Sequence, residues 1–269
     1  MVKGILTKKR PEKRLLVRIA KTGGRGNLGR ITVRHRGGGA RKLYRKVMFG
    51  QVKLGQTGRV SSLEYDPGRN AWIMLVEYED LSADKAGGLK YYMLAPHGIQ
   101  VGDEIVCDEK TEVRLGNRMR LKNITSGEQV YNIELIPGRG GVLVRAAGNS
   151  AKVNAHEGKY TQLVFPSSEI RKVLGESFAS IGIVSNPEFK YARVKNAGRA
   201  RLKGIRPHVR GSAMNAADHP HGGGEGRTGI GLKYPKTPWG KHALGVKTRR
   251  AKKWTNVFIL ERRKKKKKK

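Results

Sequence analysis

Charge is divided so unevenly along this chain that only its middle can fold by burying apolar surface. Met1 to Lys46 carries 16 Lys and Arg against a single acid, and Arg199 to Lys269 carries 22 against three. Val47 to Pro137 holds 10 against 13, and Gly138 to Gly198 holds nine against four. The 269-residue chain has a formal net charge of +36, almost all of it at the two ends. An excess of that size goes beyond what solubility requires and makes a folded chain repel itself. A polyanionic partner is the natural remedy, and nucleic acid is the commonest one. An anionic membrane surface or a basic tag would carry the same composition.

Cys107 is the only cysteine, so no intrachain disulfide can form, which suits a reducing compartment. Within GDEIVCDEK it reads as a small core residue, with no basic sequence neighbour to lower its pKa. No apolar run reaches the roughly 18 residues that a membrane span needs. The opening MVKGILTKKRPEKRLLVRIAKTGG is basic and poor in acids, as a transit peptide is, but lacks the apolar h-region of a signal peptide.

The middle alternates short β-like runs with turn signals. GRVSSLEYDPGRNAWIMLVEYED is two runs joined at DPGRN, where Pro67 and Gly68 occupy turn-favoured places. KYYMLAPHGIQVGDEIVC, QVYNIELIPGRGGVLVRAAG and AKVNAHEGKYTQLVFPSSEIRKVL repeat the habit. Turn signals about every 8–12 residues predict a mainly β chain of small barrels or sandwiches. The Gly-rich IPGRGG at residues 136–141 is the expected boundary between two units small enough to fold alone. The spans then read as a basic extension at 1–46, a barrel at 47–135, a second barrel at 136–198 and a basic extension at 199–269. One helix is expected, in NPEFKYARVKNAG, with Asn186 as N-cap, Pro187 at its first position and Gly198 at its close. The two ends have no apolar period, so they are expected to run extended and to become ordered only on a partner. The final ERRKKKKKK reads as a solvated charge run.

The densest motif is DHPHGGGEGR, Asp218 to Arg227. Asp218 with His219 could form an acid/base pair, but adjacent residues need not face one another and no nucleophile motif accompanies them. His219 and His221 could ligate a metal, but zinc usually draws about three or four His or Cys ligands at set spacings. Gly222, Gly223 and Gly224 could bring backbone N–H groups against phosphates. That reading has an echo in RHRGGGARKLYR, where His35 precedes Gly37, Gly38 and Gly39, flanked by Arg34, Arg36, Arg41 and Arg45. No helix-turn-helix, zinc finger or basic zipper is present, which favours folded RNA over the DNA major groove. Isolated aromatics, Tyr44, Tyr234, Trp239 and Trp254, could stack on splayed bases.

In order along the chain, GRITVRHRGGGARKLYR, LEYDPGRNAWIMLV, YMLAPHGIQVGD, GRGGVLVRAAG, IRPHVRGSAMNAADHPHGGGEGR and KTPWGKHALGVKTR resemble the ribosomal protein L2 family of bacterial and organellar type. The resemblance implies an OB-fold-like barrel, then an SH3-like barrel, with both extensions buried in large-subunit rRNA. It implies a primary rRNA binder near the peptidyl-transferase centre and the subunit interface, supporting subunit association, tRNA binding and translation. The setting is the cytoplasmic or an organellar ribosome. The implied partners are large-subunit rRNA, the small subunit across a bridge, and neighbouring ribosomal proteins. A membrane, a small-molecule substrate, a cofactor and a metal are not among them. The implied role is not enzymatic; the alternative is a catalytic accessory in peptide-bond formation through Asp218 and His219. Candidate RNA contacts are Arg34, His35, Arg36, Gly37, Gly38, Gly39, Arg41, Arg45, Arg206, Arg210, His219, His221, Gly222, Gly223, Gly224, Arg227 and Trp239. Two departures from the family stand out. Ala216-Ala217 replaces Pro-Val, and residues 81–92 suggest a lengthened hairpin in the first barrel.

Overall fold

The computed structural model of the chain describes residues 6–7, 10–79 and 89–263. The hairpin extension expected at 81–92 lies outside these residues except for its last four. The chain forms two compact units. The first is Met1–Ile19, Lys42–Arg193 and Thr255–Lys269, and it holds all the named strands. The second joins Ala20–Arg41 to Val194–Trp254.

In the first unit, strands β1 (Leu16–Arg18) and β2 (Leu43–Arg45) pair antiparallel, Leu16 opposite Arg45. A four-stranded antiparallel sheet follows, built from β3 (Thr57–Asp66), β4 (Ala71–Tyr78), β5 (Leu89–Leu94) and β6 (Glu104–Val106) in the order β5-β4-β3-β6. The turn from β3 to β4 falls at the expected Pro67 and Gly68. Asp66 Oδ1 accepts the Gly68 N–H at 2.8 Å, and Asn70 takes φ +59° to reverse the chain. AWIMLVEY of β4 does not alternate because both of its faces are buried. Trp72, Met74, Val76 and Tyr78 point into the core of the first barrel. Ala71, Ile73 and Leu75 point the other way, into a core shared with Tyr131 and Val184. Burying each large apolar side chain contributes about 1.5–3 kcal/mol, so β4 serves two cores at once.

The second sheet has seven strands. β7 (Arg118–Arg120), β8 (Gln129–Tyr131), β11 (Ala151–Glu157), β12 (Tyr160–Val164), β13 (Ile170–Leu174), β14 (Phe178–Ile181) and β15 (Ile259–Glu261) lie in the order β15-β13-β12-β11-β8-β14-β7. The short pair β9 (Ile133–Glu134) and β10 (Gly141–Leu143) flanks it. Two of its strands, β7 and β8, precede the Gly-rich segment at 136–141. Its core comprises Met119, Leu121, Ile124, Val130, Val153, Leu163 and Val173, among others. The chain is thus mainly β, an OB-fold-like barrel followed by an SH3-like barrel.

Polar bonds join the two barrels. Tyr131 Oη donates to Leu94 O at 3.1 Å, and Ser185 Oγ accepts the Trp72 N–H at 2.8 Å. Arg118 and Glu134 form an ion pair at 3.0 Å, both side chains 0% exposed. Cys107 is buried beside Arg118, a basic neighbour that sequence spacing did not reveal. Burial prevails over that cation and pushes the thiol up to about 11.

The helix expected from Asn186 differs. Pro187–Tyr191 is a short 3-10 turn, and Asn186 sits at φ +60°. Its Nδ2 donates to Asn70 O at 2.7 Å and makes no cap. A side chain spent on another loop cannot hold the first turn of a helix. Among the described residues the α-helix is α1, Ala197–Leu202, so Gly198 lies inside it rather than at its close.

Candidate nucleic-acid interface

The second unit carries 21 Lys and Arg and only two acids, Asp218 and Glu225. Leu28, Ile31, Val33, Leu202, Ile205 and Val209 are exposed, and among its described residues His219 alone is buried. Backbone pairing organises it where apolar burial cannot. In place of two separate extensions, its N-terminal segment runs antiparallel to its C-terminal one. Arg36 bridges Ile205, Gly37 N–H donates to Gly204 O at 3.0 Å, Ala40 N–H to Leu202 O at 2.8 Å and Arg206 N–H to His35 O at 3.1 Å. His35, at φ +58°, sets its Nδ1 3.0 Å from Pro207 O and its ring 4.4 Å from that of His208.

The first glycine triplet is shaped by this pairing. A Cβ on Gly39, at φ +85°, would sit 3.0 Å from Gly204 N. Gly38 faces open space and needs only its positive φ. The second triplet closes a loop on itself. Gly222 N–H donates to His219 O at 2.7 Å and Gly223 N–H to Met214 O at 3.0 Å. A Cβ on Gly222 would fall 2.0 Å from Asn215 O. The N–H groups of Gly37, Gly222 and Gly223 are therefore spent inside the chain. Gly37, Gly222 and Gly223 thus help to close the loops with their own amides. Of the arginines around them, Arg34, Arg36, Arg41, Arg206, Arg210 and Arg227 are exposed. Arg45 is half-buried, and in the first unit.

His219 is the keystone of its loop. Its ring lies against Gly211, where an added Cβ would approach Cε1 to 2.5 Å. Its Nδ1 accepts the His221 N–H at 3.0 Å, and His221 Nε2 in turn accepts the Lys236 N–H at 2.9 Å. Each ring holds a backbone group, so His219 carries its proton on Nε2 and His221 on Nδ1. The group on His219 Nδ1 is a backbone amide and not the exposed Asp218 carboxylate, so the orienting bond of an acid/base pair is absent there. Among the described residues no group of three or more His, Cys, Asp or Glu is placed to hold a metal ion.

The Lys236 N–H starts a hairpin. Lys236 bridges His242, Thr237 N–H donates to Lys241 O at 2.7 Å, and Gly240 N–H to Thr237 O at 2.9 Å. Pro238 and Gly240, at φ +75°, form its tip and present Trp239 between them.

Sequence reasoning missed a second cluster, in the first unit. The Arg145 and Arg69 guanidinium carbons lie 4.4 Å and 4.8 Å from the Phe49 ring centroid, and Arg69 also lies 5.4 Å from that of Tyr44. Asp66 holds Arg69 at 2.5 Å. Burial, then the like charge of Arg69, pulls the Arg145 pKa below its ordinary value. With Asp66 paired to Arg69, the cluster sets two guanidiniums against one carboxylate. Residues 69 and 145 lie far apart in sequence and carry no shared motif, so only the fold could pair them.

Two family models match the chain. Residues 12–107 match Ribosomal Proteins L2, RNA binding N-terminal domain, and residues 114–240 match Ribosomal Proteins L2, C-terminal domain. Between them they take in both glycine loops, Trp239 and both arginines of the Phe49 cluster. The two matches follow one another in the family's order over most of the length, and the chain belongs to the ribosomal protein L2 family.

Proposed function

We propose that this chain binds rRNA through the second unit and, on the first unit, through the Arg69–Arg145 cluster. The chain is a structural, rRNA-binding constituent of the large ribosomal subunit and serves translation there. The barrels give the first unit its stable core. Exposed arginines on the two loops supply the charge that neutralises phosphates, and the glycines let the loops take their shape. The observation that carries this reading is the joining of Ala20–Arg41 and Val194–Trp254, segments from either side of the barrels, into one unit with 21 basic residues and two acids. Its placement is near the peptidyl-transferase centre and the subunit interface, with contacts to the small subunit and to neighbouring ribosomal proteins. The chain is not an enzyme: His219 holds its loop closed and contributes no proton to chemistry.

The test is binding of the full chain to large-subunit rRNA across a salt series. A surface of this kind gives a steep fall of affinity with salt, because each neutralised phosphate releases counterions. Replacing Arg206 and Arg210 with alanine should lower the magnitude of the slope by about one for each phosphate left without its arginine. A slope unchanged by both substitutions would remove these residues from the interface.

A further inference from the structure

We infer that Trp239 is a stacking platform for an unpaired nucleobase, a role that rests on the rRNA-binding reading above and goes beyond phosphate contact. Trp239 is 72% exposed, although Trp is the side chain with most apolar surface to lose from water. It is displayed by a braced element. The hairpin closes through Thr237 and Lys241, its tip is fixed by Pro238 and Gly240, and its base is tied to His221 through the Lys236 N–H at 2.9 Å. Tyr234 and His242 pack at that base with ring centroids 4.4 Å apart. An aromatic presented in this way has its ordering entropy largely met before binding.

The surroundings specify the occupant. The Arg34 guanidinium carbon lies 5.7 Å from the Trp239 ring centroid, covering one face with a cation and leaving most of the ring open. Lys233, Lys236 and Lys241 are in or beside the same hairpin. A flat π surface backed by a cation, on a hairpin that carries lysines, matches a nucleobase with its phosphates, because a base offers a stacking face and its backbone offers charge. A paired base inside a helix has no free face, so the ligand is single-stranded: a loop, a bulge or an end.

Fluorescence of the full chain tests this. Trp72 is buried and Trp254 is exposed, so Trp254→Phe leaves Trp239 as the one exposed tryptophan, read with excitation selective for tryptophan. Titration with an oligouridylate strand should quench that emission. The same strand annealed to oligoadenylate should bind with little quenching. Trp239→Ala should lower single-strand affinity about 10-fold while leaving duplex affinity and the salt slope unchanged. Trp239→Phe should keep most of the single-strand affinity, which excludes collapse of the hairpin as the cause. Single-strand binding without quenching would overturn the stacking role and leave Trp239 as a protein contact. Equal losses on single strand and duplex would overturn it as well. Failure of the unmodified chain to bind RNA at low salt would instead overturn the rRNA-binding assignment of this surface.

Discussion

Replacing Glu134 with alanine should remove a large share of the first unit's stability. The carboxylate is fully buried and accepts from five donors. Oε1 receives Arg118 Nη2 at 3.0 Å, Gln51 Nε2 at 3.0 Å and Gly140 N at 3.1 Å; Oε2 receives Gly138 N and Phe178 N, each at 3.2 Å. Losing one partner of a buried ion pair costs about 3–5 kcal/mol, since the other charge is left uncompensated. Each buried N–H left without an acceptor costs about 1–3 kcal/mol more, less where water can enter. A loss of at least about 4 kcal/mol is expected, a large share of the roughly 5–15 kcal/mol that holds a domain folded. Arg118→Met should cost less. Glu134 would keep four of its donors, whereas Arg118 satisfies only Glu134, Asn132 O at 2.8 Å and Ser180 Oγ at 3.3 Å. Burial already pulls the Arg118 pKa below its ordinary value, with Glu134 opposing that pull. Urea unfolding followed by far-ultraviolet circular dichroism measures both variants. At a typical urea dependence, a loss of about 4 kcal/mol moves the midpoint by about 2 M. An Arg118→Met midpoint below that of Glu134→Ala would refute the ranking. A Glu134→Ala loss under about 1.5 kcal/mol would refute the hub itself.

Stability should fall between pH 9 and pH 11 as Cys107 ionises, because burial raises its folded pKa from 9.0 to about 11. The fold favours the neutral thiol, so that contribution is whole below pH 9 and lost by pH 11, up to about 3 kcal/mol; Cys107→Ala should flatten that part of the profile. In Gly39→Ala the new Cβ meets Gly204 backbone, so hydrogen exchange at the Ala40 amide should accelerate and rRNA affinity should drop. Gly38→Ala, facing open space, should cost only the roughly 1 kcal/mol of an unfavourable φ. Arg145→Ala should weaken binding to all RNA sequences alike and reduce the salt slope by about one; a sequence-selective loss would contradict phosphate contact. In ribosomes assembled with His219→Gln, peptide transfer should stay within about twofold of the unmodified rate, a shift worth less than about 0.5 kcal/mol. Normal assembly with transfer slowed by orders of magnitude would restore the catalytic alternative.

Much of the candidate site was legible in sequence because its signals are local. The arginines, the glycine triplets, His219 and Trp239 advertise themselves by type and spacing. The β3–β4 turn did so as well, since Asp66 and Asn70 act within their own turn. Asn186 failed as a cap because a residue 116 positions away claims its side chain. Arg69 and Arg145 were invisible for the same reason: their relation is made by Phe49 and Tyr44, from a third part of the chain.

By itself the sequence determined that the middle of this chain folds as small β-barrels, that its ends seek a polyanion, and which family it joins. These follow from hydropathy, charge and short motifs, all carried by neighbouring residues. Only the tertiary structure decided that β4 feeds two cores, that one buried carboxylate gathers five donors, and that two basic segments, Ala20–Arg41 and Val194–Trp254, join into one unit. It also decided that Gly39 and Gly222 lie against other backbone while arginines and a tryptophan face outward. Those outcomes depend on which distant backbones approach within hydrogen-bond distance, and no local pattern encodes that proximity.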